Sequence, residues 1–187
     1  MTQIDERAAG HHADVAGTQA TGQPFVFVTV GTDHHQFDRL IQWTSRWFAR
    51  HPEVRALLQT GTATTPATGE AHDYLGHEQM QAALSGANVV VSHGGPATIM
   101  AAKHAGIVPI VVPRRHELGE HVDNHQVEFA SWLAARSQVH LADSEEALHA
   151  LLDRILEDPD AYRSHAVATA PASAVQRFGD LVNALLA

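Results

Sequence analysis

The stretch NVVVSHGGPATIM, residues 88–100, runs from a hydrophobic segment through two glycines into an alanine-rich segment. The three valines predict a short buried strand, and the glycines predict a turn that opens a helix, with Pro96 suited to its first turn. The free backbone N–H groups of such a turn, together with the positive end of the helix dipole, attract an anion. The alternative is a plain strand–helix turn that needs glycine only for its backbone angles.

The composition indicates one globular domain. The chain has 187 residues, of which 44% are hydrophobic, and carries a net charge of −9 with 12 Lys and Arg residues that form no dense run, which disfavours a nucleic-acid partner. It has no cysteine, which excludes disulfides, cysteine zinc sites and thiol nucleophiles. No apolar run approaches the roughly 18–20 residues of a membrane span, and the N-terminus has no signal pattern. We therefore expect a disordered tail over residues 1–23 and a cytoplasmic domain over residues 24–187.

Strand-like and helix-like segments alternate about six times along this domain. The strands lack polar alternation, which predicts burial on both faces and hence a parallel sheet with helices on each side. The expected strands cover residues 24–30, 54–61, 72–76, 88–92, 107–113 and 138–142, and the expected helices cover residues 36–50, 77–87, 96–104, 123–136 and 144–157, with one or two more within 160–187. The predicted fold is α/β, a single Rossmann-like, doubly wound parallel sheet.

Ligands of such sheets bind at the carboxyl ends of the strands, where glycine and hydroxyl residues follow two of the predicted strands. Gly94 and Gly95 leave room for close approach of backbone to a ligand, and Thr98 adds a hydroxyl in the first helical turn. Gly31 and Thr32 occupy the equivalent junction after the first strand. The chain lacks the G-x-G-x-x-G dinucleotide fingerprint, the P-loop and the G-x-S-x-G elbow, so these patterns give no support for dinucleotide, triphosphate or serine-hydrolase chemistry.

A metal site is the main alternative in the polar loop PRRHELGEHVDNHQ, residues 113–126. His121 and His125 are four residues apart, as on one helix face, and other potential ligands are close in sequence, namely His116, Glu117, Glu120 and Asp123. The run HELGEH is one residue longer than the zinc-protease H-E-x-x-H pattern. Chance pairings are expected among 15 histidines. The prediction is that the chain binds no metal.

Several segments taken together resemble the C-terminal, donor-binding half of family 28 GT-B glycosyltransferases. They are FVTVGT and FDRLI, LLQTG, YL, VVVSHGGPATIM, GIVPIVVPRR and GEHVDNHQ, and they cover about residues 24–155. The resemblance is closest to the small catalytic subunits of bacterial exopolysaccharide glycosyltransferases, which are similar to the catalytic subunit of the two-subunit GlcNAc transferase of the dolichol pathway. It implies that the chain is one half of a GT-B fold.

The resemblance also implies a UDP-sugar donor and assigns the site residues. His93 would lie beside the diphosphate and donate to the leaving phosphate, and it is the predicted catalytic residue. The other residues expected to bind the nucleotide sugar are Gly31 and Thr32 at the phosphates, Leu75 and Gly76 near the base, Gly94, Gly95 and Thr98 in the central turn, His125 and Gln126 at the sugar hydroxyls, and Glu120 and Asn124 lining the pocket. No cofactor is implied.

The implied activity is that of a metal-independent hexosyltransferase. Its acceptor half would come from a membrane-associated partner subunit that binds a lipid-linked sugar, and that partner is one source for the general base. Two departures bear on this. Ala97 replaces a common third glycine, and Ala101 replaces a glutamate that holds the ribose, a loss of about 1.5–3 kcal/mol. The departures favour a second hypothesis, a non-catalytic, partner-binding homologue. A two-domain epimerase or phosphorylase and a metal hydrolase using His116, His121 and His125 remain further alternatives.

Overall fold

The structure is a computed structural model that describes residues 22–64, 66, 68–158 and 163. Of the tail expected over residues 1–23, all but the last two residues lie outside this range. The helices expected within residues 160–187 lie outside it as well, apart from residue 163. None of the helices in the described part of the chain is long and apolar enough to cross a lipid bilayer.

Six strands and five helices alternate in the described residues, as predicted. The strands are β1 (Phe25–Thr29), β2 (Arg55–Gln59), β3 (Glu70–His72), β4 (Val89–Ser92), β5 (Ile110–Val111) and β6 (His140–Leu141). The helices are α1 (Asp38–Phe48), α2 (His77–Gly86), α3 (Pro96–His104), α4 (His125–Ala134) and α5 (Glu145–Glu157). A short 3₁₀ helix, His116–Leu118, lies in the loop between β5 and α4.

The strands are shorter than predicted or shifted, and for β3 and β5 the reasons are local. β3 begins two residues before the predicted segment and ends at His72, and Gly76, at the other end of that segment, is the cap of α2 and donates its N–H to Oε1 of Gln79 over 2.9 Å. β5 is limited to two residues rather than seven. Pro109 and Pro113 flank it, and proline has no N–H to donate to a neighbouring strand.

All six strands are parallel, in the order β3-β2-β1-β4-β5-β6. β1 pairs with β2 on one side and with β4 on the other, so Thr29 lies opposite both Gln59 and Ser92. The chain reverses its direction of travel across the sheet between β1 and β4, and the crevice at such a switch point is where ligands of this class of fold bind. The predicted Rossmann-like, doubly wound parallel sheet is confirmed.

Both faces of the sheet are covered, as the uniformly apolar strands predict. In β1, Val26 and Val28 belong to a cluster with residues of α1 and α5, whereas Phe25 and Phe27 belong to a second cluster with residues of α2 and α3. A third cluster joins α4 to Val111 of β5. α1 and α5 therefore cover one face, and α2, α3 and α4 cover the other.

Polar contacts hold α1 against α5. The buried indole of Trp47 donates its Nε1–H to Oδ1 of Asp153 over 2.7 Å, and Arg46 forms a bidentate ion pair with Glu145. Ser144 caps α5 as predicted, because its hydroxyl accepts the N–H of Ala147 over 3.2 Å. The first helix and the last described one are thus fixed on the same face of the sheet.

Candidate functional site

The side chain of His93 lies at the switch point, between two glycines from different loops. A Cβ on Gly31 would lie 2.4 Å from Cε1 of this imidazole, and a Cβ on Gly95 would lie 2.3 Å from Nε2. Real Cβ atoms do not approach other atoms so closely, so the ring requires both glycines. Gly31 also has a φ of 79°, whereas Gly95 has a φ of −67° that any residue adopts. The sequence predicted that these residues lie together, and the structure brings them together.

The environment of His93 keeps its imidazole neutral. Burial lowers the pKa of His93 to about 4, with a further lowering by the nearby Arg114 and His121, against the opposing influence of the Thr29 backbone and the Asp33 carboxylate. Among the described residues, Nδ1 of His93 and the hydroxyl of the adjacent Ser92 are buried without a hydrogen-bond partner. Buried polar atoms are normally paired, so these two are available to water or a ligand.

The N-terminus of α3 has the features of an anion site. Gly95 precedes the helix with an extended backbone and no side-chain cap, and Pro96 contributes no N–H, so the following N–H groups donate to no capping side chain. The first turn of α3 contains no acidic residue, whereas the other described α-helices carry one there, namely Asp38, Glu78, Glu128 and Glu145 with Glu146. The half-buried Thr98 lies in this turn. The positive end of the dipole is therefore not offset by the helix itself.

Gly94 and Gly31 contribute room at this edge, and the N–H of Gly31 is not free to donate to a ligand. Gly94 has a φ of 94°, and a Cβ there would lie 3.2 Å from Cγ1 of Val111. The N–H of Gly31 is already donated to the Thr29 hydroxyl over 3.1 Å, and that hydroxyl donates in turn to Gln59 over 3.0 Å. The predicted contribution of Gly31 is thus limited to space for a ligand, while its neighbour Thr32 is exposed.

Arg114 is a fully buried cation that ties the two loops of the site together, and the sequence analysis did not assign it a role. Its Nη2 donates to the carbonyl of Val30 over 2.7 Å, and its Nη1 donates to the carbonyls of His35 and Glu120 over 2.7 and 2.9 Å. Burial lowers its pKa, while Asp33 and Glu120 act in the opposite direction. The motif VPRR was recognised, but three carbonyl acceptors from distant segments leave no pattern in a sequence.

Glu120 is held by arginine rather than left free in the pocket. Nε and Nη2 of Arg39 donate to its two carboxylate oxygens over 2.8 and 2.7 Å, and the N–H of Arg115 donates to Oε2 over 2.9 Å. Arg39 also donates to the carbonyl of Pro113 over 2.8 Å. The pair joins α1 to the loop after β5, so the described contacts of Glu120 order this loop.

The remaining predicted residues fall into two groups. In the loop before α4, Gln126 is buried with its Oε1 3.4 Å from the backbone N of Arg114, and Asn124 accepts the N–H of His116 over 2.8 Å. His125 is exposed at the start of α4. At the β3–α2 junction, Leu75 is half-buried against the second core cluster, and Gly76 is exposed at the start of α2.

His121 and His125 come together by a route that differs from the predicted one. They do not share a helix face, because α4 begins at His125 and His121 lies in the preceding loop. Their rings nevertheless lie with centroids 4.9 Å apart. Asp123 is near both of them, while the other ligands considered for a metal make different contacts: Glu120 with Arg39, Glu117 with Asn124 and His116 with the His121 carbonyl.

Comparison with known proteins identifies one matching family model, described as glycosyltransferase family 28 C-terminal domain, over residues 25–183. No curated protein sequence matched. Among solved structures, the glycotransferase of kitacinnamycin is 21% identical to this chain with a TM-score of 0.60. The match covers 80% of this chain and 40% of the glycotransferase. MurG of Acinetobacter baumannii is 18% identical with a TM-score of 0.53, and the match covers 78% of this chain and 44% of MurG.

A third similar structure is the spinosyn rhamnosyltransferase SpnG complexed with thymidine diphosphate. It is 17% identical with a TM-score of 0.53, and the match covers 76% of this chain and 39% of SpnG. Identities this low establish a shared fold and nothing more. This chain spans about two fifths of the length of these three structures.

Proposed function

Because this chain belongs to glycosyltransferase family 28 through its C-terminal domain, we propose that it is the donor-binding subunit of a glycosyltransferase that moves a hexose from a UDP-sugar to a lipid-linked or polysaccharide acceptor. The observation that carries the proposal is the N-terminus of α3 at the switch point. It has no capping side chain and no acidic residue in its first turn, and it lies beside the imidazole of His93, whose Nε2 would be 2.3 Å from a Cβ on Gly95. This arrangement suits a diphosphate.

The chemistry that this arrangement supports is stabilisation of the leaving group. When the bond between the sugar and the diphosphate breaks, negative charge grows on the departing UDP. The backbone N–H groups of Ala97 and Thr98 and the α3 dipole lie at the fixed N-terminus of the helix and would stabilise such charge without reorganisation, and the Thr98 hydroxyl would add a donor. A neutral His93, with its pKa lowered to about 4, donates one hydrogen bond to a phosphate oxygen without being a cation. No metal is required for this role.

The remaining predicted residues complete the proposed pocket around the nucleotide sugar. Leu75 and Gly76, at the carboxyl side of β3, would contact the base, and His125 and Gln126 would contact the sugar hydroxyls. SpnG, a member of the same structural class, was solved with thymidine diphosphate, a pyrimidine nucleotide, which supports a pyrimidine donor such as UDP. Gly31 and Gly94 would leave space for the phosphates.

The acceptor site is proposed to come from a second chain. Each match covers only about two fifths of the similar glycosyltransferase. We propose that a membrane-associated subunit supplies the acceptor half, binds the lipid-linked sugar and recruits this chain to the inner face of the membrane. A role in exopolysaccharide biosynthesis follows from the same proposal.

Ala101 supplies the most direct test of donor binding. Calorimetric titration with UDP should give saturable binding to the wild type, and Ala101→Glu should tighten it by about ten- to a hundred-fold by restoring a charged acceptor for the ribose. Ala101→Gln is the matched control, since it has nearly the same size without the charge, and it should gain less. UDP binding that is absent from all three proteins would count against the proposal.

A non-catalytic homologue is the second candidate, and one observation favours it. Ala101 is partly buried and packs against the same apolar cluster as Leu75 and Met80, so this part of α3 presents an apolar surface where a ribose acceptor is expected. If the candidate is right, the isolated chain binds a partner subunit but neither UDP nor a UDP-sugar. Adding the partner would then leave nucleotide binding undetectable.

A further inference from the structure

The loop before α4 brings two imidazoles and a carboxylate together. The ligand atoms of His121, Asp123 and His125 all lie within 4.8 Å of one another. Oδ1 of Asp123 contacts Nδ1 of His125 and lies 3.4 Å from Nδ1 of His121. A tetrahedral ion with bonds of about 2.1 Å separates its ligand atoms by about 3.4 Å. The His121–Asp123 separation therefore matches one edge of such a site.

Asp33 supports this arrangement from the loop after β1. Its Oδ2 lies 3.5 Å from Nε2 of His121, whereas Asp123 lies near the other ring nitrogen, Nδ1. A histidine that binds a metal through one nitrogen commonly presents its other N–H to a carboxylate, which fixes the ring and increases its basicity. Asp33 is itself oriented, since its Oδ1 accepts the backbone N–H of His35 over 2.8 Å. Among these groups only His121 is well buried, with 12% of its side chain exposed.

We propose that His121, Asp123 and His125 bind one divalent transition-metal ion of the Zn²⁺ type through Nδ1, a carboxylate oxygen and Nδ1, with Asp33 positioning His121. Two imidazoles and a carboxylate are a donor set suited to such ions, and the exposure of Asp123 and His125 leaves the fourth position to water. Nε2 of His125 stays free of the metal. The bound ion would fix the ring of His125, the histidine that the proposed function places at the sugar hydroxyls.

The alternative explanation is that Asp123 only caps α4. Its Oδ1 accepts the backbone N–H of His125 over 3.1 Å, as asparagine or aspartate does before many helices. Asp123→Asn separates the two explanations, because an amide oxygen preserves this hydrogen bond but is a poor ligand for Zn²⁺. His77→Gln is the matched control for His121→Gln, since His77 is an exposed histidine at the start of α2.

The experiment is a calorimetric titration of Zn²⁺ into the untagged full chain after dialysis against a chelator, with visible absorption of bound Co²⁺ to report the coordination geometry. We expect one tight equivalent in the wild type and in His77→Gln, none in Asp123→Asn or His121→Gln, and affinity about 10–100-fold weaker in Asp33→Asn. Tight binding retained in Asp123→Asn, or lost equally in His77→Gln, would overturn the proposal. UDP titration in the chelator-treated protein tests the proposed function separately.

Discussion

The Nη2 atom of Arg114 donates to the carbonyl oxygen of Val30 over 2.7 Å, although 84 residues separate the two in sequence. Val30 follows β1 directly, and Arg114 follows β5, so this bond joins two carboxyl-edge loops that flank the switch point. Its Nη1 atom donates to the carbonyls of His35 and Glu120, which lie in the same two loops. Arg114 thus fixes the width of the crevice in which the diphosphate is proposed to bind.

Replacing Arg114 should destabilise the protein strongly. Arg114→Met leaves three carbonyls without their donor, and each buried polar group left unpaired costs about 1–3 kcal/mol. We expect the free energy of unfolding to fall by about 3 kcal/mol or more in urea denaturation. Arg115→Met is the control, because it removes the same charge from the next residue, whose Nη2 makes an exposed hydrogen bond to the Asp143 carbonyl. Its effect should stay within about 0.5 kcal/mol, and equal losses in the two variants would contradict this account.

The contact between His93 and Gly95 predicts a rescue. Gly95→Ala places a methyl group 2.3 Å from Nε2 of His93, and such overpacking costs about 1–3 kcal/mol. His93→Ala removes the ring. Adding Gly95→Ala to the His93→Ala protein should therefore cost much less stability than adding it to the wild type. A double-mutant cycle measured by thermal unfolding gives the coupling, and additive effects would show that the ring does not lie over Gly95.

Gly31→Ala should be rescued only in part. The added methyl group would lie 2.4 Å from the same ring. Gly31 also has a φ of 79°, and an alanine in that conformation costs about 1–2 kcal/mol whatever its neighbours are. Gly106→Ala isolates the backbone part, because Gly106 also has a φ of 79° and no atom lies within 4 Å of its added Cβ. In the His93→Ala protein, the stability that Gly31→Ala still removes should equal the stability that Gly106→Ala removes from the wild type.

His93 predicts a dependence of stability on pH. Its pKa is about 4 in the folded chain and about 6.5 when exposed in the unfolded chain, so the unfolded state binds the extra proton between these values. The stability associated with neutral His93 is therefore present above pH 6.5 and is lost as the pH falls to 4, by about 3 kcal/mol in total. The difference between wild type and His93→Asn in urea denaturation, with chelator present, should show this slope. NMR titration of the ring should give the low pKa directly, and a pKa near 6.5 would refute the neutral imidazole.

The sequence predicted the sheet, and it predicted that the loops after β1 and β4 meet at one edge, because both depend on local patterns. Continuous valine and isoleucine runs identify buried parallel strands, and the glycines after β1 and β4 identify the edge where a ligand fits. The predicted cap at Ser144 was correct for the same reason, since a cap needs only the residues beside it. β3 was misplaced because its three residues include two polar ones, Glu70 and His72, and carry no apolar signal.

The contacts inside the site could not be predicted, because each joins residues that are distant in sequence. Arg39 and Glu120 are 81 residues apart, and neither position has a neighbouring residue that indicates the pair. Asp33 and His121 lie on different loops for the same reason. The predicted helix face for His121 and His125 was wrong, yet the two rings meet, because a loop before α4 positions them as well as a helix would.

Two bidentate arginine–glutamate pairs in this chain differ in burial and therefore in their expected contribution to stability. In the Arg39–Glu120 pair, 14% and 7% of the side chains are exposed, whereas in the Arg46–Glu145 pair 51% and 25% are exposed. Glu120→Gln leaves the guanidinium of Arg39 buried without its counter-charge, which costs about 3–5 kcal/mol in buried pairs. Glu145→Gln should cost about 0.2–1 kcal/mol, as exposed pairs do, because water replaces the lost partner.

Salt separates these two pairs further. Screening by about 1 M NaCl should remove most of the Glu145→Gln effect and leave the Glu120→Gln effect nearly unchanged, because buried charges are screened far less than exposed ones. Urea denaturation of the two variants at low and high salt measures both effects. If Glu120→Gln is as mild as Glu145→Gln, then Glu120 does not hold the loop after β5, and its carboxylate is free for the sugar-binding role that the sequence predicted.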